Sequence, residues 1–119
     1  MRFLCIYKPS KTEGARPTEQ EIAHMGELIQ DMKQSGVLLA TEGCLPTALG
    51  ARVRLSAGKI TVTDGPFAES KELIGGFALI RAASKQEAIE HTKRFLQVAG
   101  DGETEIRQMY DEPALAQAN

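Results

Sequence analysis

The chain has 119 residues, 42% of them hydrophobic, with 16 acidic and 14 basic side chains that give a formal charge of -2. This length supports one compact hydrophobic core and is too short for two domains of ordinary size. Because the basic residues form no cluster, the composition argues against direct binding of nucleic acid.

The first predicted element is a buried strand over residues 2–7. This segment is a short apolar run with aromatic and β-branched residues, and Lys8-Pro9 closes it. The run is too short for a signal peptide or a membrane span, so we expect a cytoplasmic protein. A reducing compartment would keep Cys5 and Cys44 as thiols, and we expect the Cys44 thiol to be buried rather than nucleophilic.

Two capping boxes predict where helices begin. The first is Thr18-Glu19-Gln20-Glu21; apolar residues then recur at three- and four-residue steps until Gly36, which can end the helix. The second is Ser84-Lys85-Gln86-Glu87, and its helix should end before Gly100.

The remaining segments predict strands. A second strand starts at residues 37–40, and the alternating segments 52–55 and 60–63 indicate a hairpin with one polar, solvent-facing side. Residues 74–82 are nearly all apolar, which is typical of a strand covered on both faces. A last strand is expected over residues 103–110.

The order of elements predicts an α+β protein with a ferredoxin-like split βαβ repeat and an inserted β-hairpin. Two helices can cover only one face of the sheet, while the strands at 3–7 and 74–82 are apolar on both faces. We therefore expect a homodimer in which a second copy covers the other face. Residues 1–111 should form a single domain, and residues 112–119 should fray.

The run over residues 64–77, DGPFAESKELIGGF, is the most informative part of the chain. Asp64 cannot close the usual Asx-turn, because Pro66 has no amide hydrogen. Its carboxylate must accept from the amide of Phe67 or Ala68, or bind a cation. Both interpretations stay open: Asp64 caps a turn, or it belongs to a site.

Three charged residues follow in the same run: Glu69, Lys71 and Glu72. On an extended stretch Glu69 and Lys71 share a face, whereas on a helical turn Glu69 and Glu72 share one. They are either a solvated surface trio or ligand anchors at the rim of the core, where Glu42 could join them. Gly75-Gly76 either permits close packing or lets a ligand approach the backbone.

This run, with Glu42-Gly43-Cys44-Leu45-Pro46 upstream and residues 84–88 downstream, resembles the signature of the YCII-related family, in particular its DGPF branch. The resemblance covers residues 1 to about 110. It implies a dimeric α+β barrel, and it also implies an association with alternative sigma factors.

Some YCII-related proteins are thought to use a His and Asp pair, with the His on the first helix eleven residues before the glycine that ends it. Here that position is Met25, and His24 lies one residue earlier, about 100° round the helix. Asp31 is roughly 10 Å farther along the axis, too far for a hydrogen bond to His24. We expect His24 to be structural or solvent-facing, and His91 to be a surface contact between Glu87 and Phe95.

The sequence thus predicts a protein that binds or transforms a small molecule in a pocket between the sheet and the first helix. The candidate ligand-binding residues are Glu42, Asp64, Glu69, Lys71 and Glu72. The alternative is a regulatory module that binds a protein partner such as a sigma factor. The sequence has no metal-ligand spacing, no cofactor is expected, and nothing in it decides whether the protein is an enzyme.

Overall fold

The structure is a computed structural model that describes residues 1–10, 15–67 and 73–111. Its strands are β1 (Arg2–Pro9), β2 (Leu38–Gly43), β3 (Ala51–Ser56), β4 (Lys59–Asp64), β5 (Gly76–Arg81) and β6 (Gly102–Gln108). Its helices are α1 (Glu19–Gln34) and α2 (Lys85–Ala99), with one 3-10 turn at Thr47–Leu49. The mixed α+β class is therefore as predicted. Glu69, Lys71, Glu72 and the predicted tail 112–119 lie outside the described residues.

Four strands form one antiparallel sheet in the order β2-β5-β1-β6. Strand β1 is central, so Phe3 lies opposite Ile80 on one side and Gln108 on the other. Strands β3 and β4 pair only with each other in a separate two-stranded sheet. The N-terminal strand therefore lies between the two strands that flank α2 in the sequence.

Both capping predictions are confirmed. The Thr18 hydroxyl accepts from the Glu21 amide at 3.1 Å, and the Ser84 hydroxyl accepts from the Glu87 amide at 3.1 Å. Gly36 (φ 80°) and Gly100 (φ 94°) follow the helix ends in the left-handed region that glycine tolerates. These local signals fix where each helix begins and ends.

The core lies between the sheet and the two helices. Strand residues alternate between faces, so Phe3, Cys5 and Ile80 point to the helices, where Phe3 is only 1% exposed. The buried apolar residues of this core are Phe3, Cys5, Leu28, Met32, Leu38, Ile80, Ala82 and Ala88. The face of the sheet that the helices cover is called the helix face below.

The opposite face of the sheet, called the open face below, has no helix over it. It carries two directly opposed apolar pairs, Leu4 with Leu79 and Ile6 with Phe77. Phe77 is 37% exposed, and the other three side chains are half-buried. The sequence predicted that β5 is covered on both faces, but a single chain covers only one of them.

The predicted hairpin is present, and every residue of it is exposed. Its turn uses Ala57 (φ 51°) and Gly58 (φ 80°), both in the left-handed region. The opposed pairs Val53 with Val62 and Leu55 with Ile60 share one face, and each of these side chains is 63–71% exposed. The chain thus presents a second uncovered apolar surface. No helix among the described residues is long and apolar enough to span a membrane.

A candidate ligand cavity under the helices

A cavity of about 630 Å³ lies between the helix face of the sheet and the two helices. Its walls include apolar residues of α1 and α2, while β1 and β5 form its floor. The main apolar wall residues are Ile22, Met25, Ile29, Phe95 and Val98. Pockets that hold small molecules in proteins have about 300–1,000 Å³ and a mostly apolar lining, so this cavity has the size and character of a ligand site.

Gly26 leaves a gap in the wall that α1 forms. It lies in the middle of the helix and lines the cavity, and a Cβ built on it would meet no atom within 4 Å. Glycine inside a helix destabilises it by about 1 kcal/mol relative to alanine. Gly26 is also exposed, so it lies at the rim of the cavity, where a larger side chain meets no steric obstacle and can cover the opening.

Tyr7 closes one end of the cavity. Its hydroxyl lies 3.4 Å from the Gly100 carbonyl oxygen and 3.3 Å from that of Asp101, and donates toward both. Its ring meets the Phe95 ring edge to face, with centroids 5.2 Å apart. These contacts fix the end of α2 against the central strand. The wall at this end of the cavity is therefore well defined.

Cys5 and Thr92 face each other in the deepest part of the lining. The Thr92 hydroxyl donates to the Ala88 carbonyl oxygen at 2.8 Å, and the Cys5 sulfur lies 4.0 Å from it. Burial raises the pKa of the Cys5 thiol, and the contact with Thr92 opposes this shift only in part. Since the thiolate is the reactive form, Cys5 is a neutral core residue rather than a nucleophile.

Thr104 on β6 contributes a different kind of polar group. It lies opposite Tyr7 in the sheet and lines the cavity. Its hydroxyl oxygen is fully buried and has no hydrogen-bond partner among the described residues. Buried hydroxyls normally have a partner, so this one is exceptional.

The ionisable groups of the described lining, apart from Cys5 and Tyr7, are Glu21, Glu42 and His91. The His91 Nε2 lies 3.4 Å from a Glu87 carboxylate oxygen, which confirms the predicted contact along α2. His91 also lines the cavity, which the sequence did not indicate. Within the described residues, no group of three His, Cys, Asp or Glu side chains could hold a metal ion.

Of the predicted site residues that the structure describes, Glu42 lines the cavity and Asp64 does not. Asp64 is exposed at the end of β4. The Phe67 amide, one of its expected partners, donates to the Thr47 hydroxyl at 3.2 Å instead. Glu69 and Lys71, like Glu72, lie outside the described residues. Of the two described members of this set, Glu42 is the one at the cavity.

The glycines of the run 64–77 serve close packing. A Cβ on Gly65 would collide with the Thr47 carbonyl group. A Cβ on Gly75 would lie 2.9 Å from a Pro9 side-chain carbon, and one on Gly76 would lie 2.7 Å from the Glu42 carbonyl oxygen. Because Gly75 and Gly76 also line the cavity, the close packing of their backbone shapes its wall.

The first helix presents Met25, not His24, to the cavity. Met25 packs against the core, whereas His24 is exposed and does not line the cavity. Asp31 forms an ion pair with Arg94 of α2 at 2.5 Å, which joins the two helices at their surface. The histidine position that the family resemblance implied is thus occupied by a thioether in this chain.

The prediction for Cys44 was wrong. Its thiol is exposed, while its amide donates to the Gly75 carbonyl oxygen at 2.9 Å. Cys44 follows the last residue of β2, so it lies outside the sheet. The apolar start of the preceding strand therefore does not imply that the Cys44 thiol is buried.

The sequence reasoning missed Thr104 and His91 as cavity residues. Thr104 could have been found from the two-residue period of β6, which puts it on the same face as the core residue Ile106. His91 lies one residue from the buried Thr92. Nothing in the sequence indicated how closely α2 approaches α1, and that distance decides which residues line the space between them.

The fold and cavity define a small α+β protein in which two helices cover one face of an antiparallel sheet. The model of the YCII-related domain matches residues 1–112, and the chain belongs to the YCII-related family. An uncharacterized protein of Rhizobium meliloti (strain 1021) is 35% identical over 92 residues, which are 76% of this chain and 74% of that protein.

One solved structure has a similar fold at low sequence identity. It is the 5-chloro-2-hydroxyhydroquinone dehydrochlorinase TftG of Burkholderia phenoliruptrix AC1100, in complex with 2,5-dihydroxybenzoquinone. The TM-score is 0.53 and the identity 16%, over 96% of this chain and 98% of that one. At this identity the similarity concerns the fold.

Proposed function

We propose that this protein binds or transforms a small molecule in the cavity between the sheet and the helices. The observation that carries the proposal is the cavity itself, which has about 630 Å³ and a mostly apolar lining with a few polar groups. The dehydrochlorinase of similar fold, solved with a small quinone, is a precedent for this class of function.

Chemistry in this cavity would use the ionisable groups at its edge. Glu42 and His91 line it, while the raised pKa of Cys5 argues against thiolate chemistry. Glu69, Lys71 and Glu72 stay predicted ligand contacts. Two roles remain predicted for Asp64, a turn cap and a site residue. Its exposed position at the end of β4 favours the turn cap.

Blocking the cavity tests the proposal. Gly26→Phe places a ring in the space beside α1, and Ala23→Phe adds the same ring at an exposed position of α1 that does not line the cavity. In a ligand-observed NMR screen of neutral aromatic and aliphatic fragments, the native protein and Ala23→Phe should bind the same fragments and Gly26→Phe should bind none. Fragments that bind all three proteins equally would contradict the proposal, and so would a screen without binders.

We further propose a homodimer of the DGPF branch, with a ferredoxin-like fold assembled into a dimeric α+β barrel. The antiparallel order β2-β5-β1-β6, with both helices on one face, supports the fold assignment. The uncovered pairs Leu4 with Leu79 and Ile6 with Phe77 support a second copy on the open face, because large exposed apolar patches mark interfaces.

The alternative function is a regulatory module that binds a protein such as an alternative sigma factor. The observation that favours it is the hairpin, whose four aliphatic side chains are 63–71% exposed. Mixing the purified protein with such a factor and measuring co-elution on size exclusion tests it. Val53→Lys should abolish co-elution, whereas Arg52→Lys on the other face of the hairpin should retain it; separate elution of the native proteins would rule out this partner.

A further inference from the structure

We propose that Thr104 is the hydrogen-bonding anchor of the cavity and that its ligand is an uncharged, mainly apolar molecule with a hydroxyl or carbonyl oxygen. This inference rests on the proposed function and names the ligand class for the same site. Three observations carry it.

The first observation is the Thr104 hydroxyl. It is fully buried, lines the cavity and has no hydrogen-bond partner among the described residues. The other hydroxyls of the described lining differ from it. The Thr92 hydroxyl donates to the Ala88 carbonyl oxygen, and the Thr41 hydroxyl donates to that of Phe77. The Tyr7 hydroxyl donates toward the carbonyl oxygens of Gly100 and Asp101. Thr104 is therefore the described hydroxyl whose donor and acceptor are both unused, and rotation of its side chain about the Cα–Cβ bond would turn them toward the cavity that the residue lines.

The second observation is the shape of the surroundings. Apolar side chains of both helices face the strand that carries Thr104 across the cavity, among them Met25, Ile29 and Phe95. A ligand must match these walls over most of its surface, because burial of apolar area drives binding in such a pocket. One polar group of the ligand can then meet the threonine hydroxyl.

The third observation is charge. The described lining has two carboxylates, Glu21 and Glu42, and no lysine or arginine. Among the described lining residues, the two carboxylates repel an anion, and His91, which already contacts Glu87, is the one side chain there that could become a cation. The thiol of Cys5 is neutral as well, since burial raises its pKa. These groups together favour an uncharged ligand.

Three probes of the same shape test the inference by calorimetry at pH 7: 2-naphthol, 2-methylnaphthalene and 2-naphthoate. One hydrogen bond should make 2-naphthol bind the native protein about fivefold to tenfold more tightly than 2-methylnaphthalene. The anion 2-naphthoate should bind most weakly. Thr104→Val replaces the hydroxyl by a methyl group and should bring 2-naphthol and 2-methylnaphthalene to equal affinity.

The matched control is Thr41→Val, which removes a cavity-lining hydroxyl that already donates to the Phe77 carbonyl oxygen. This variant should retain the preference for 2-naphthol. Thr104→Val should also unfold at the same or a higher urea concentration than the native protein, because no described partner loses a hydrogen bond and a methyl group replaces an unpartnered buried hydroxyl.

The outcomes test two claims separately: that Thr104 anchors an uncharged ligand, and that the cavity is a binding site. A preference for 2-naphthol that survives Thr104→Val, or tightest binding of 2-naphthoate, overturns the inference but leaves the cavity as a binding site. A clear loss of stability in Thr104→Val also overturns it, because the hydroxyl would then serve the fold. A third outcome is that none of the three probes binds the native protein, while other fragments bind the native protein and not Gly26→Phe. The ligand class is then wrong, and the proposed function stands. If no fragment binds at all, both fail.

Discussion

The two faces of the four-stranded sheet have similar apolar residues and different surroundings. On the helix face, Phe3 and Ile80 are opposed and are 1% and 4% exposed. On the open face, Leu4 and Leu79 are opposed in the same register but are only half-buried. The helix face thus encloses a core and a cavity, whereas the open face presents an apolar surface that no element of the described chain covers. We infer that ligand binding and assembly are assigned to opposite faces of one sheet.

Truncation of neighbouring residues of β1 should give the largest contrast between the faces. Phe3→Ala removes a ring that is 1% exposed and should cost about 3–5 kcal/mol of unfolding free energy. Leu4→Ala, one residue along on the open face, should cost about 1–2 kcal/mol in dilute, monomeric protein, because Leu4 is only half-buried in the single chain. Urea unfolding of both variants measures the difference, and equal losses would contradict the distinction between the faces.

A charge on the open face should break the proposed dimer. Ile6 lies opposite Phe77, so Ile6→Lys would bury an unpaired ammonium group in the interface and weaken association by about 3 kcal/mol, a hundredfold or more in the dissociation constant. Sedimentation should give about twice the chain mass of 12.9 kDa for the native protein and 12.9 kDa for Ile6→Lys.

The control for the dimer is Ala23→Lys on the exposed surface of α1, which should sediment like the native protein. A stable native monomer at micromolar concentration would remove the basis for the dimer and leave the open face to a different partner.

The helix face depends on where its helices begin, and a cap variant should have a smaller effect. The Ser84 hydroxyl accepts from the Glu87 amide at 3.1 Å, so Ser84→Ala should cost about 1 kcal/mol. Ser10→Ala, at an exposed serine that caps no helix, should have almost no effect. Thermal unfolding of both variants tests this, and an unchanged midpoint for Ser84→Ala would show that the cap does not stabilise α2.

The smallest effect should come from the ion pairs on the open face. Arg107 and Lys8 lie beside Glu105 and lower the pKa of its carboxyl from the ordinary value of 4.5. A lowered carboxyl pKa adds stability above pH 4.5, and this contribution is lost as the pH falls below that value through the pKa of the folded state. Glu105→Gln should therefore lose less stability than the native protein between pH 7 and pH 3.

The control for this pH effect is Glu103→Gln on the same strand and face, since no ion pair of Glu103 is seen among the described residues. Its stability should fall with pH as that of the native protein does. Urea midpoints at the two pH values measure the effect, and the same fall in both variants would argue against a contribution from the Glu105 pairs.

Local signals in the sequence predicted most of the fold. The capping boxes at Thr18 and Ser84 and the alternation in the hairpin each depend on neighbouring residues, and the structure confirms all three. Strand ends were less predictable: the strand expected over residues 74–82 is β5 (Gly76–Arg81), and the last strand, expected over residues 103–110, is β6 (Gly102–Gln108).

The candidate site was harder to predict because it is assembled from distant elements. The sequence pointed to the run 64–77, but of its described residues only Gly75, Gly76 and Phe77 are at the cavity, and the Phe77 side chain lies on the open face. The other walls come from β1, α1, α2 and β6, and their distances depend on how the helices pack on the sheet. Sequence periodicity gives the face of each element and not the space between elements.

The four methionines allow the most direct test of the central claim that the cavity of the helix face is the ligand site. Met25 and Met32 line the cavity, whereas Met1 and Met109 do not. In a titration with 2-naphthol followed by methyl NMR, we expect the Met25 and Met32 signals to shift with one saturating curve while those of Met1 and Met109 stay. Shifts of Met1 and Met109 without any change at Met25 and Met32 would place the ligand elsewhere and contradict the account.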